Sequence, residues 1–346
     1  MAFRHGLYFF TRFLHQDVPS FQIHFIFQYF HIPMRMLILI LLIFTSCKSV
    51  SPPSEISSTL VTPDPSKEAQ ALIEFLREQY GKKVISGVMT LNSFDEFDRV
   101  KKISGKAPAI LGMDFMHHNR GYTQWFNEDQ ILLDAEKHRS QNGIITFMWH
   151  WRDPSRKTES FYTSETNFDI SLLQNPPSEE YQSIIRDIDY VASFLKRIPH
   201  IPILWRPLHE ASGTWFWWGA KGPEAYKLLY RLLFERLVHH HQIKNLIWVW
   251  TAEKNDILWY PGDDVVDIIG TDLYNGSMEE AFINLQSRYP DKIISLSECG
   301  TLPDLNKSKW SWFMCWYGEF VLNNTALWTS TMHHPDVITL DKMPEL

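Results

Sequence analysis

From residue 67 onward the chain alternates two hydrophobic patterns. Short, nearly all-apolar runs recur: KVISGVM (83–89), PAILGMDF (108–115), GIITFMWHW (143–151), PILWRPLHE (202–210), NLIWVWT (245–251), VVDIIGTDLY (265–274), KIISLSECG (292–300) and WSWFMCWY (310–317). Runs of this length that are apolar on both faces predict buried strands. Between most of them lie longer stretches with apolar residues at helical spacing. PEAYKLLYRLLFERLVHHH (223–241) is the clearest, with Pro223 in a start position, and EAQALIEFLREQYG (68–81) stops on a glycine, as helices often do. Strands of this kind separated by helices predict a parallel sheet covered on both sides. Eight such units over residues 67–346 fit one α/β domain, a (β/α)8 or TIM barrel, a fold of about 250 residues. An open doubly wound sheet is the alternative. It would place a glycine-rich phosphate turn after the first strand, and SGVMTLNS is not one.

The polar residues fall where such a barrel needs them. Asp114 ends the second run and His150 the third; Arg206, His209 and Glu210 end the fourth. Glu253 follows the fifth, Asp272 and Tyr274 end the sixth, Glu298 the seventh and Trp316 the eighth. Barrel chemistry is assembled at the C-terminal ends of the strands. One polar residue there is readily explained as a satisfied core group, but a full rim of them is not. Glu210 and Glu298 are the candidate catalytic pair. Two carboxyl groups facing each other from separate strand ends suit glycoside hydrolysis, one as acid and the other as nucleophile or base. Arg206 and His209 are placed to hold the other groups.

Metal chemistry finds little support. HEASG departs from the zinc motif HExxH, because Gly213 stands at the second ligand position. The His239–His241 run suits a helix C-terminus, and MHHN (116–119) reads as a loop. A metal site is therefore not expected.

WRPLHEASGTWFWWG closely resembles the signature of glycoside hydrolase family 26, best known for β-mannanases. The resemblance covers roughly residues 67–346. It implies a retaining mechanism with no metal or organic cofactor, in which Glu210 is the acid/base and, through ISLSECG, Glu298 the nucleophile. It places His209 against substrate and the nucleophile region, and Trp215 on the cleft wall. Through IGTDLY it makes Tyr274 a hydrogen-bond partner of the nucleophile with Asp272 behind it, and through WFMCW it makes Trp316 the platform for the attacked sugar. His150, Arg206, Asp272 and Asp114 complete the expected substrate-binding set. Cys299 stands where the family usually has Phe, and alternation turns it away from the site. The implied substrate is a β-mannan cut internally. Mixed-linkage β-glucan, β-1,3-xylan, exo-acting release of mannobiose and a non-catalytic glycan-binding role remain alternatives. The long segment from Arg152 to Pro177 is a candidate loop for closing one cleft end. Of the four aromatics Trp215 to Trp218, about half are expected to face the cleft, given alternating directions.

The N-terminus reads as targeting rather than fold. MRMLILILLIFTSC (34–47) has a basic start, an apolar run and small residues ending on Cys47, the layout of a lipoprotein signal with Cys47 lipidated. That apolar run is too short to span a bilayer alone. Residues 1–33 read as an over-called start before Met34 or Met36, and 48–66 as a Ser/Pro tether without core-forming power. The expectation is therefore an exported, outer-membrane lipoprotein, monomeric and touching the membrane only through its anchor. The net charge of −7 argues against a nucleic-acid partner. Fourteen tryptophans exceed the needs of an ordinary core and suit sugar-binding clefts. Cys299 and Cys315 are expected as small buried residues, with a disulfide between them left open.

Overall fold

A computed structural model describes residues 59–253 and 256–346. The elements in chain order are α1 (Lys67–Gln79), β1 (Val84–Met89), α2 (Asp95–Ser104), β2 (Ile110–Asp114), α3 (Gln130–Arg139), β3 (Ile144–Met148), α4 (Glu179–Leu195) and β4 (Ile203–Arg206). They continue with α5 (Gly222–Phe234), β5 (Leu246–Ala252), β6 (Ile268–Leu273), α6 (Met278–Arg288), β7 (Ile293–Cys299), β8 (Trp312–Cys315), α7 (Glu319–Asn323), α8 (Thr325–Met332) and β9 (Val337–Ile338). Strands β1 to β8 pair in parallel in sequence order, and β8 and β2 both pair with β1. The sheet is therefore a closed (β/α)8 barrel, as the alternation of patterns predicts. The short β9 pairs with the start of β1 at Val84–Ile85, below the point where β2 joins at Gly87.

The double-sided apolar strands divide into two cores. Ile85, Met89, Ile110, Ile144, Leu204, Ile247, Ile268, Ile293 and Met314 fill the barrel interior. Their neighbours, among them Val88, Leu111, Ile145, Trp205, Trp248, Ile269 and Phe313, pack outward against the helices. Serine side chains cap three of those helices by accepting an amide N–H: Ser66 on α1, Ser178 on α4 and Ser277 on α6.

Several boundaries move. The fourth strand ends at Arg206 rather than 210, because Pro207 has no N–H to continue the ladder. The predicted helix 223–241 is α5 followed by one π-helical turn, Glu235–His240. The end of the supposed tether is built into the barrel: Leu60 and Thr62 are buried, the Val61 amide donates to Asp267 Oδ1 (2.8 Å), and the Thr62 hydroxyl donates to Leu246 O (3.2 Å). These contacts fasten the chain beneath β5 and β6, which its Ser/Pro composition does not disclose. The rest of the tether, the signal segment with Cys47, and residues 1–33 lie outside the described residues.

One irregularity decides the chemistry. Ile293 faces the interior, so strict alternation would turn residue 298 outward. The β6–β7 register instead slips from Thr271↔Leu296 to Asp272↔Glu298. The extra residue is Ser297, a β-bulge that turns Glu298 into the barrel mouth and Cys299 into the outer core. Gly270 makes room for it, since a Cβ there would collide with Ser297 Oγ. Cys299 and Cys315 are both buried and free, with the Cys299 thiol directed at Met314 O. Gly270→Ala is therefore expected to destabilise the fold by about 1–3 kcal/mol through overpacking. Because it displaces the bulge, it should also lower kcat; thermal unfolding and turnover measured on one preparation check both.

Candidate active site

The fourth strand delivers its polar residues through a strained turn. After Arg206 the backbone enters the left-handed region at Leu208 (φ 52°) and again at Glu210 (φ 54°). Each such step costs a non-glycine residue about 1–3 kcal/mol. Neighbouring side chains hold the turn: Tyr226 OH donates to Leu208 O (3.2 Å), and Trp218 Nε1 donates to His209 O (2.8 Å). Buried Trp218 and Tyr226 are thus the frame on which Glu210 is presented.

Arg206 is the electrostatic centre. Only 1% exposed, it donates from Nη1 to Asp272 Oδ2 (2.9 Å) and Thr251 Oγ1 (3.1 Å), and from Nη2 to Glu298 Oε1 and Met148 Sδ. Burial alone would lower its pKa, but Asp272 and Glu298 outweigh that and keep it charged. Carboxylate oxygens of Glu210, Asp272 and Glu298 lie within 4.8 Å of one another. One guanidinium does not neutralise three carboxylates at this spacing, so a proton is retained.

The hydrogen bonds decide where that proton sits. Burial pushes Glu298 up, but its two oxygens are taken by Arg206 and by the Tyr274 hydroxyl (2.7 Å), both of which favour the anion. Burial and the neighbouring Glu298 charge keep Tyr274 protonated and donating. Among the described residues Glu210 is hydrogen-bonded to no cation, and Arg206 acts on it only through space. Burial first, then the charge of Asp272, pushes it up to about 7. Its proton meets Asp272, whose buried Oδ1 finds no other donor among the described residues. Trp215 Nε1 donates to Glu210 Oε2 (2.9 Å) and opposes the rise. The outcome is a protonated carboxyl opposite an ionised one.

A second column stands beside this pair. Asp114 Oδ2 accepts from His150 Nδ1 (2.7 Å), and its Oδ1 accepts the amides of Met116 and His150, both at 2.9 Å. That leaves His150 Nε2 as acceptor for His209 Nε2 at 3.3 Å. His209 is held well below the ordinary histidine range by burial, then by His150 and Arg206, so it is neutral. The half-buried Trp316 lies 6.0 Å from the His150 ring, closing that side.

All ten residues predicted for catalysis and substrate binding thus gather at one barrel mouth, but not all in the predicted role. Arg206 and Asp272 belong to the expected substrate-binding set, and Arg206 is also expected to hold the other groups, which is the role it takes. Both are buried under the carboxyl pair and act on Glu210 and Glu298 rather than on substrate. Asp114 faces His150. The expectation that half of the four aromatics face the cleft is also revised. Trp215 is 42% exposed, whereas Trp217 and Trp218 are core and Phe216 is packed beneath His150 and His209. Trp215 lies over Gly213, where a Cβ would strike its ring.

Thr251, Met148 and Tyr226 were not read from the sequence as site residues, since each looks like ordinary strand or helix core. The Arg152–Pro177 segment lies over the fourth-strand turn. Phe161 O accepts from Trp217 N (3.1 Å), and Tyr162 stacks on Phe216. His241 pairs with Asp189, and His118 Nε2 with Glu128 O, so both histidine runs are structurally occupied.

Two carboxyl groups of opposite protonation at the mouth of a (β/α)8 barrel are the arrangement that glycoside hydrolysis by paired carboxyls needs. The chain belongs to glycosyl hydrolase family 26, whose profile matches residues 61–342. It is 39% identical over 318 residues to a mannan endo-1,4-β-mannosidase of Thermothelomyces thermophilus, covering 84% of this chain and 64% of that protein. It is 32% identical to mannan endo-1,4-β-mannosidase B of a Piromyces species, with 84% and 54% covered. The chain therefore spans less than two thirds of the length of these curated relatives. Among solved structures, it matches a β-mannanase from a symbiotic protist of the termite Reticulitermes speratus, complexed with gluco-manno-oligosaccharide. The TM-score is 0.81 and the identity 36%, over 84% of this chain and 99% of that one. A Podospora anserina β-(1,4)-mannanase matches with TM-score 0.78 and 36% identity, over 84% and 70%.

The acid must be protonated to act, so kcat/KM is expected to fall as pH rises through about 7, where Glu210 loses its proton. The indole N–H favours the ionised form. Removing it in Trp215→Phe should raise the Glu210 pKa and move the alkaline limb to higher pH. A pH–rate profile of both proteins checks the direction.

Proposed function

We propose that this chain is a retaining endo-β-1,4-mannanase. Glu298 is its nucleophile and Glu210 its acid/base. The observation that carries the mechanism is the spacing and protonation of the pair. Carboxyl oxygens within 4.8 Å suit the retaining geometry of about 5–5.5 Å between carboxyl groups, not the roughly 6.5–9.5 Å that leaves room for water in an inverting site. In the first step Glu298 attacks the anomeric carbon, the glycosidic C–O bond breaks, and the Glu210 proton passes to the departing oxygen. Glu210, now ionised beside the Asp272 carboxylate, takes a proton from a water molecule as that water attacks the anomeric carbon. The bond from the anomeric carbon to Glu298 breaks and the Glu298 carboxylate is released. His209, His150, Tyr274, Trp215 and Trp316 line the space where the reacting sugars lie. Arg206, Asp272 and Asp114 keep the reacting groups in their charge states and orientations.

The substrate assignment rests on the likeness to proteins named mannanases and mannan endo-1,4-β-mannosidases. Endo action is supported by recesses on both sides of the carboxyl pair. One is bordered by Trp215 and Tyr274, the other by Asp114 and His117. The layout of residues 34–47 supports export with a lipid on Cys47, and the proposal is of a monomeric enzyme held at the outer membrane.

Hydrolysis of β-mannan, mixed-linkage β-glucan and β-1,3-xylan by the protein starting at Lys48 tests the reading. Mannan cleavage is expected, abolished in Glu298→Ala and lowered by about 10²–10⁴-fold in Glu210→Ala. Preference for another glycan would overturn the substrate. Retention of full activity in Glu298→Ala would overturn the mechanism. Incorporation of radiolabelled fatty acid into the full chain, lost in Cys47→Ala, checks the anchor.

A further inference from the structure

The mechanism leaves one buried carboxylate unused. Asp187 stands on the apolar face of α4 with Ile184, Ile188 and Val191, and is only 2% exposed. A carboxylate in such a place is costly unless it is hydrogen-bonded throughout. Asp187 accepts from Trp151 Nε1 (2.9 Å), Asn119 Nδ2 (3.0 Å) and Arg186 Nε (3.1 Å), and from Arg156 through both Nη1 and Nη2 (3.2 and 2.8 Å). Buried ion pairs of this kind add little stability over apolar packing, so what the cluster supplies is placement of its donors.

Two of those donors belong to the start of the long loop after β3. Trp151 is held by its indole N–H, and its carbonyl accepts from Trp217 Nε1 (2.5 Å). Arg156 has a left-handed backbone (φ 64°), a strained conformation for a residue with a side chain, which its bonds to Asp187 hold in place. Asp153 fastens the same turn from within. Its carboxylate accepts the amides of Ser155 (2.9 Å) and Thr158 (3.2 Å), and its own amide donates to Ser160 O (2.8 Å).

Beyond that turn the loop lies along the segment that carries Trp215. Tyr162 and Phe216 form an antiparallel bridge. Thr163 N donates to Trp215 O (2.7 Å), the Thr163 hydroxyl to Thr214 O (2.8 Å), and Trp217 N to Phe161 O (3.1 Å). Thr214 is itself left-handed (φ 61°), so these bonds are what keep residues 214–217 in position. That position matters to the chemistry, because Trp215 Nε1 donates to Glu210 Oε2. A continuous path of hydrogen bonds thus runs from α4, through the loop after β3, to Glu210.

We propose that Asp187 is a positioning residue for the reaction: by ordering the loop after β3, it holds Trp215 against Glu210. This inference rests on the reading of Glu210 as the acid. The charged and titratable groups that face Glu210 are Arg206 of β4, Asp272 and Tyr274 at the end of β6, Glu298 of β7 and Tyr162 of the loop itself. Only Tyr162 shares an element with the donors of Asp187, so the indole bond is the link through which α4 reaches the acid.

The test records thermal unfolding and the pH profile of kcat/KM on β-mannan, or on whichever β-glycan the wild type cleaves. Asp187→Asn and Arg156→Met are compared with wild type, each alone and combined with Trp215→Phe. The Arg156 side chain is 32% exposed, so Arg156→Met frees the loop without opening the core and decides the matter should Asp187→Asn fail to fold. Each single variant is expected to lower kcat/KM about tenfold by misplacing Trp215. Each should also move the alkaline limb to higher pH, as Trp215→Phe does. Neither effect should add to that of Trp215→Phe, since all three changes remove one and the same bond. A lower melting temperature with an unmoved limb would mark a purely structural role and overturn the proposal alone. A limb moved to lower pH would report water reaching Glu210 rather than loss of the indole bond, and full additivity with Trp215→Phe would report an independent effect; either overturns it. An active wild type with no alkaline limb would remove the acid role of Glu210, and this inference with it. A wild type that cleaves no β-glycan would remove the hydrolase reading as well.

Discussion

The site depends on one buried guanidinium. Arg206 sits at the end of β4, inside the barrel, with Asp272 and Glu298 on its two amino groups. A buried cation is tolerable only when paired and hydrogen-bonded, and a buried carboxylate likewise. Each of these groups makes the others possible. The third carboxyl, Glu210, is not hydrogen-bonded to that cation, feels it more weakly, and keeps its proton. One charge imbalance therefore sorts two chemically identical side chains into a protonated and an ionised carboxyl, the division that the proposed double displacement requires.

Holding Glu210 over that centre costs backbone strain, and the surrounding aromatics offset it. Two non-glycine residues in left-handed conformation within three positions would not persist in an isolated loop. Here Trp218 and Tyr226 bond the carbonyls of the turn, Phe216 stacks on Trp218 at 4.4 Å, and Tyr162 of the long loop covers Phe216. Much of the tryptophan surplus is thus spent below the surface. It stiffens the turn instead of touching sugar, and only Trp215 of the WFWW run reaches the cleft.

The barrel's architecture and much of its site were legible in the chain. Strand runs apolar on both faces, each followed by a helix, leave few arrangements besides a covered parallel sheet. Polar residues at the ends of those runs then fall on one rim whatever the details. Glu210, Glu298, His209, Tyr274 and Trp316 could be named because strand-end position is a local property. Their partners could not. Thr251 and Met148 look like core until Arg206 arrives from another strand, and the packing of Leu60 and Thr62 under the barrel has no local signature at all.

By itself, then, the sequence determined the closed sheet, the catalytic rim and the two glutamates, because periodicity and strand ends are written in consecutive residues. Tertiary structure alone decided which way Glu298 points and which glutamate keeps the proton. The first follows from a bulge at Ser297 that reverses the parity of β7 and needs the bare backbone of Gly270 across the sheet. The second follows from which carboxyl groups reach Arg206. Both are relations between strands distant in the chain, and no reading along one strand contains them.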